Sequence, residues 1–441
     1  MTLLIRNARL LDPASGLDAP GDLAVAQGRI LAVGQAPAGF APQRTIDADG
    51  CILMPGLVDL SVRLREPGHE HEGMLASELA AAVAGGVTSL VCPPDTDPVL
   101  DEPGLVEMLR FRAQGLNQAR VLPLGALTRG LQGEVLTEMV QLAEAGCVGF
   151  GQAEVGIANT QVLMRAMQYA RSFGFTVWLR PQEMHLGKGV AASGPLATRM
   201  GLGGVPVAAE TIALHTIFEL MRATGARVHL CRLSSAAGAE LVRQAKAQGL
   251  ALSADVSINS LHLTDMDIGY FDSRTRLNPP LRQQRDRDAL RAALADGTID
   301  ALVSDHTPVG ADEKELPFAQ AEPGATGLEL LLSLALKWAH DSGLPLVQAL
   351  GCVTHRSAAV LAGEHGAAQA AGALAGQLRV GAQADVCLFD PQAAWTVTAA
   401  ALRSQSKHTP FGGYELPGRV RASVVGGRVA FEALAGAHGA T

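Results

Sequence analysis

Asp59-Leu60-Ser61-Val62-Arg63-Leu64-Arg65-Glu66-Pro67-Gly68 sets a carboxylate, a hydroxyl and two guanidinium groups along a short apolar run that ends in a turn. Residues 61 and 63 share a parity, so on a strand both side chains project to the same side. A serine hydroxyl is a poor neutral donor to a metal, and an arginine is a permanent cation with no lone pair to lend. Two later segments also carry polar groups suited to a site: Leu277-Asn278-Pro279-Pro280-Leu281-Arg282, with its amide, and Val303-Ser304-Asp305-His306-Thr307-Pro308, with a carboxylate beside an imidazole. Other groups read as structural. His69-Glu70-His71 falls in the loop after the first of these runs and reads as solvated, and His229 has the opposite parity to Arg232 and reads as a packed core histidine. His185 and His215 are isolated, Ser234-Ser235 reads as a helix cap, and Gly85-Gly86 and Gly201-Leu202-Gly203-Gly204 are turns without a phosphate-loop lysine.

The elements that must carry these groups alternate. Short apolar strands are expected at 56–62, 87–92, 121–124, 148–150, 176–179, 227–231, 251–256 and 300–304, with helical periods at 74–84, 134–145, 160–173, 208–224, 236–248 and 327–338. Eight strands alternating with helices predict an α/β fold, a TIM-like (β/α)8 barrel, whose chemistry lies at the C-terminal ends of the strands. The ends of the chain differ in texture. Alternating runs at 3–10, 22–26, 29–33 and 45–47, and again at 384–390 and 423–432, are those of a β module. The expected organisation is residues 1–54 as the N-terminal half of a small β-sandwich, 55–370 as the barrel, and 371–441 as the other half, with the Ala/Gly-rich 367–375 marking the return.

Composition bounds the partners. A chain of 441 residues that is 48% hydrophobic buries a large core, and a net charge of -8 without a basic block argues against nucleic acid. No stretch of about twenty apolar residues is present for membrane spanning, and the N-terminus lacks a secretory pattern, so the expectation is a cytoplasmic protein. The six cysteines are scattered and read as buried free thiols.

The 55–68 stretch, together with Gly85-Gly86-Val87-Thr88, Val228-His229-Leu230-Cys231-Arg232-Leu233-Ser234 and the 277–282 and 300–308 segments, resembles the type I dihydroorotases of the amidohydrolase superfamily. In that family the opening motif reads Asp-x-His-x-His-x-Arg-x-Pro-Gly, and both histidines are replaced here. The resemblance implies zinc held by the histidine pair, by a carboxylated lysine or aspartate after the fourth strand, by histidines after the fifth and sixth, and by an aspartate after the eighth. Those positions fall on Ser61, Arg63, the Gly151-Gln152-Ala153 segment, Arg180, Arg232 and Asp305. Only Asp305 remains a ligand type. The family's substrate arginine matches Arg65, its asparagine is replaced by Asp95, a downstream asparagine matches Asn278, and His306 is kept. The family's Pro-His-His-Leu reads Ile258-Asn259-Ser260-Leu261.

These departures predict a chain that is not an enzyme and needs no cofactor, with Asp305 and His306 as vestiges. Arg63, Arg180 and Arg232 are expected to converge at the mouth on Asp59, Glu183, Asp255 or Asp305 through bidentate contacts that replace metal bonds. By the same resemblance, the role is an assembly subunit for aspartate transcarbamoylase in pyrimidine biosynthesis, within an oligomer. Two alternatives stand beside it. One is an active dihydroorotase or related cyclic amidohydrolase with an atypical zinc site built from Asp305, His306 and His69 or His71. The other is a metal-free sensor of small anions.

Overall fold

The computed structural model describes residues 2–363, 368–369 and 376–433. Most of the 367–375 stretch lies outside the described residues. The barrel strands are Leu57–Asp59, Val87–Cys92, Arg120–Pro123 continued by Gly125–Ala126, Phe150–Gly151, Thr176–Leu179, Arg227–Leu230, Leu252–Ser257 and Ala301–Val303. All pair in parallel with their neighbours. The ring closes where Val62 bridges His306, with the His306 N–H donating to the Ser61 carbonyl at 3.1 Å and the Arg63 N–H to the His306 carbonyl at 2.9 Å. This is the (β/α)8 barrel expected from the alternation of strands and helices.

Val58, Leu60, Val91, Leu124, Val148, Trp178, Ala301 and Val303 fill the barrel interior. The helix His355–Leu361 stoppers the N-terminal end by adding Ala358, Val360 and Leu361 to that cluster, which leaves the C-terminal end as the accessible mouth. Two of the outer helices start where a side chain satisfies a free N–H group. Asn159 accepts from the Gln161 N–H to open Thr160–Ser172, and Ser235 accepts from the Gly238 N–H to open Ala236–Ala247. Ser235 is thus the cap its sequence context suggests.

Strands from both ends of the chain build one eight-stranded sheet. Ile52–Pro55 lies at its middle, pairing parallel with Thr2–Asp12 and antiparallel with Val386–Thr396. The sheet folds around its own core of Leu3, Ile5, Leu10, Leu23, Val25, Leu53, Val386, Leu388 and Val424, separate from the large cluster between barrel strands and helices. All six cysteines are free, four of them buried. Among the described residues no helix is long and apolar enough to cross a membrane.

Candidate functional site

Arg63, Arg180 and Arg232 project into the barrel mouth from the ends of three different strands, and all three meet one carboxylate, Glu154. Oε1 of Glu154 accepts from Nη2 of Arg63 at 2.8 Å and from Nη2 of Arg232, while Oε2 accepts from Nη1 of Arg180 and from Nδ2 of Asn278 at 2.9 Å. Burial opposes the charged form, but Arg232, Arg180 and Arg63 together hold the Glu154 carboxyl well below the ordinary range. Arg63 also donates from Nε to Asp95 at 2.9 Å and from Nη1 to Thr307 at 3.2 Å, and Arg232 donates from Nη1 to Asp305 at 3.1 Å. Burial lifts the Asp305 carboxyl above its usual range against the pull of Arg232 and Arg63.

The convergence of the three arginines is as expected, but most of the partners are not. Only Asp305 of the four proposed carboxylates pairs with a guanidinium here. Asp59 is buried and spends Oδ1 on the N–H groups of Ser61 and Ser304, and burial pushes its carboxyl up to about 7. Glu183 caps the N–H groups of His185 and Leu186. Asp255 accepts from the Arg232 N–H at 2.7 Å and bonds His229 at 2.9 Å. Nor are the contacts bidentate forks, since each guanidinium divides its donors among several acceptors. Asp95, which stands where the family has an asparagine, is paired with Arg63.

Glu154 is the residue that sequence reasoning missed. It follows Gly151-Gln152-Ala153, the segment matched to the family's fourth-strand ligand. Gln152 turns away to Thr128 and the Leu131 carbonyl, whereas Ala153 takes a left-handed φ of 50° that swings the next side chain inward. A charged residue immediately after a ligand-free ligand position was the available signal.

The remaining pocket residues divide in two. Arg65 and Asn278 line a small cavity of about 120 Å³ above the guanidinium cluster, with Arg65 bonded to the Pro308 carbonyl and paired with Glu72. His306 points away, fully buried, with Nε2 on Glu78 at 2.8 Å and Nδ1 accepting from the Gly327 N–H. It is a structural strut rather than a lining group of this cavity. Ser61 contributes its backbone to the closing seam.

The family's zinc is a poor match for these residues. Zinc takes lone pairs from about four nitrogen, sulfur or oxygen donors. The matched positions offer a hydroxyl, three guanidinium groups without a lone pair, the Gln152 amide turned to Thr128 and Leu131, and one carboxylate already bonded to Arg232. Elsewhere among the described residues, His229, Cys231 and Asp255 lie within 4.8 Å of one another, as do His71, Glu72 and Glu313. In the first group His229 is fully buried between Ser253 and Asp255, and burial pushes the Cys231 thiol far up, so the set reads as the packed core network expected for His229. In the second, exposed His71 faces Glu313 at 3.5 Å, while Glu72 is buried and already paired with Arg65.

Comparison with known proteins adds the family. Residues 50–237 match the family model described as dihydro-orotase-like. The chain is 46% identical to a dihydroorotase-like protein of Pseudomonas aeruginosa, over 98% of this chain and 100% of that one. It is 39% identical to a dihydroorotase of Geobacter sp. strain M21, again over 98% of this chain and all of the relative. Among solved structures, L-hydantoinase from Arthrobacter aurescens superposes with a TM-score of 0.83 at 24% identity, covering 97% of this chain and 95% of that one, which supports the fold. A D-hydantoinase from Thermus sp. gives 0.80 at 21% identity, over 98% of this chain and 95% of that one.

Two expectations drawn from the missing histidines are corrected by these relatives. Full-length homologues carry the name dihydroorotase, an enzyme's name, which overturns the expectation that the chain is not an enzyme. The expectation that it needs no cofactor falls with it, because it rested on the same step from lost histidines to lost chemistry. What stands is the composition of the mouth, and the kinship: the chain belongs to the dihydroorotase-like amidohydrolase family.

Proposed function

We propose that the chain shares the ligand class of its dihydroorotase relatives, a small cyclic amide bearing a carboxylate or its ring-opened carbamoyl acid, and takes it into an atypical, arginine-lined site. The observation that carries this reading is the set of four side-chain donors from Arg63, Arg180, Arg232 and Asn278 already holding a carboxylate at the mouth. Turnover is the part that the relatives' names support and the donors at the mouth do not. Calorimetric titration with dihydroorotate and carbamoyl aspartate, alongside turnover and metal content, tests both parts. Binding lost in Arg180→Ala supports the site, and turnover with stoichiometric zinc supports an amidohydrolase with an atypical metal centre. Binding with neither zinc nor turnover supports the small-anion sensor. No binding of either compound overturns the reading.

The resemblance adds a partner, aspartate transcarbamoylase, and a place in pyrimidine biosynthesis. Exposed apolar side chains support a protein contact: Tyr270 and Phe271, whose rings are 6.0 Å apart, are 96% and 42% exposed, and Leu316, which lines a cavity with Phe271, is 44% exposed. Co-purification with the transcarbamoylase is the expected outcome, weakened by Tyr270→Asp. Separate migration of the two at all concentrations removes the assembly role.

A further inference from the structure

Glu154 differs in kind from the groups that hold it. Its side chain is 31% exposed, whereas those of Arg63, Arg180 and Arg232 are 8%, 4% and 5% exposed. The carboxylate is therefore a cap over buried cations. Two donors reach each of its oxygens, which is the full planar complement a carboxylate takes from a dedicated site. It is delivered by a stretch without regular structure between the strand Phe150–Gly151 and the helix Thr160–Ser172, next to Ala153 in the left-handed region. A second cavity, about 210 Å³, flanks this stretch and is lined by Val155, Ile157, Leu163, Leu179, Ile212 and Ile217. That gives the segment space to retreat.

Charge fixes what must replace it. Three guanidinium groups face Asp95, Glu154 and Asp305, so the cluster is balanced. Withdrawing Glu154 alone leaves one buried positive charge uncompensated and four donors without an acceptor, a state that buried groups avoid. One incoming carboxylate restores both.

We propose that Glu154 is a tethered surrogate for a ligand, and that the arginine mouth is a binding site for the carboxylate of a small organic acid, entered by exchange with Glu154 as its segment withdraws. This rests on the carboxylate recognition argued above but not on the identity of the acid. The test is chemical rescue. Glu154→Ala, melted in sodium chloride and in sodium acetate at equal ionic strength, is expected to melt below the parent in chloride and to recover at least half of the loss in acetate, saturably, while the parent shows no acetate-specific shift. Glu432→Ala, which breaks the half-exposed pair with Arg44, serves as a control expected to ignore acetate. If Glu154→Ala does not fold, Glu154→Gln, which keeps the shape and loses the charge, is expected to show the same preference. Indifference to acetate in the variant that folds overturns the proposal. The two readings fail separately: rescue of the variant by acetate, with a parent that binds neither dihydroorotate nor carbamoyl aspartate, keeps the site and discards the ligand class. Binding of those acids by a protein whose Glu154 variants ignore acetate keeps the ligand class and discards the exchange.

Discussion

Arg232 spends Nη2 on Glu154 and Nη1 on Asp305 and the Asn278 carbonyl, and its Nε is buried without an acceptor. Losing a further acceptor is therefore costly. Asp305→Ala is expected to destabilise the chain by about 3 kcal/mol, the scale on which breaking one side of a buried ion pair acts, as read by urea denaturation. Parent and variant with equal midpoints would remove the idea that these pairs brace the mouth. Acid should act on the same cluster. The Glu154 carboxyl is held below its unfolded value by the arginines, so its contribution is complete above a pH of about 4.3 and declines as pH falls below that. Melting curves from neutral pH downward should show a shallower acid loss in Glu154→Gln than in the parent. At this scale the sequence made the arginines visible, because a guanidinium at a matched position is identifiable by type alone. It misassigned Asp59, Glu183 and Asp255 because nearness to the mouth in sequence does not report a carboxylate's depth or its nearer backbone partners.

The strands Val87–Cys92 and Thr176–Leu179 were legible to the residue, since a parallel strand buried on both faces reads as a short uncharged run rich in β-branched and apolar side chains. The fourth strand shrinks to Phe150–Gly151, and the helices Pro103–Gly115 and Gln284–Ala295 escaped notice. The helix Pro103–Gly115 buries only Val106, Leu109 and Ala113, too narrow a stripe to stand out against its charged face. Between the helix Leu75–Ala84 and the strand Val87–Cys92, Gly86 has a φ of 84°, and an added Cβ there would come within 2.6 Å of the Cys387 sulfur. Gly86→Ala should cost about 2 kcal/mol or more from left-handed strain and overpacking together, measured by thermal or urea unfolding. Glu329, in the turn that leads into the helix Leu331–Ser342, accepts the N–H groups of Arg403 and Ser404, and burial pushes its carboxyl up to about 7. A folded value above the unfolded one means that the native state binds more protons between about 4.3 and 7, so this group's contribution falls as pH rises through that window. Glu329→Gln should flatten that part of the stability profile, and an unchanged slope would count against a strained carboxylate there.

Barrel and sheet are joined by polar contacts as well as by packing. Arg120 at the start of a barrel strand forks onto Asp385 at 2.8 and 3.2 Å, and Asp385 also accepts from the Gly426 N–H at 2.6 Å. Ser423 donates to the Val83 carbonyl at 2.6 Å, and the Trp395 indole N–H reaches Ser333. Asp385→Ala should therefore speed amide exchange in Val386–Thr396 while leaving the barrel strands protected; uniform loss across both units would mean that they unfold together. The barrel was legible from its alternation of strands and helices. That both chain ends join one β module was legible from their texture, but which strands pair was not, because nothing local in Ile52–Pro55 identifies Val386–Thr396 as its neighbour.

That pairing sets a schedule for biosynthesis. The strand that covers one edge of Ile52–Pro55 is made more than three hundred residues after it. At about 5–20 residues per second, the nascent chain carries that unpaired edge for tens of seconds while the barrel forms beside it. Until Val386–Thr396 emerges, that edge is a template awaiting a partner, and a polypeptide stopped before it keeps the edge open to pairing with another chain.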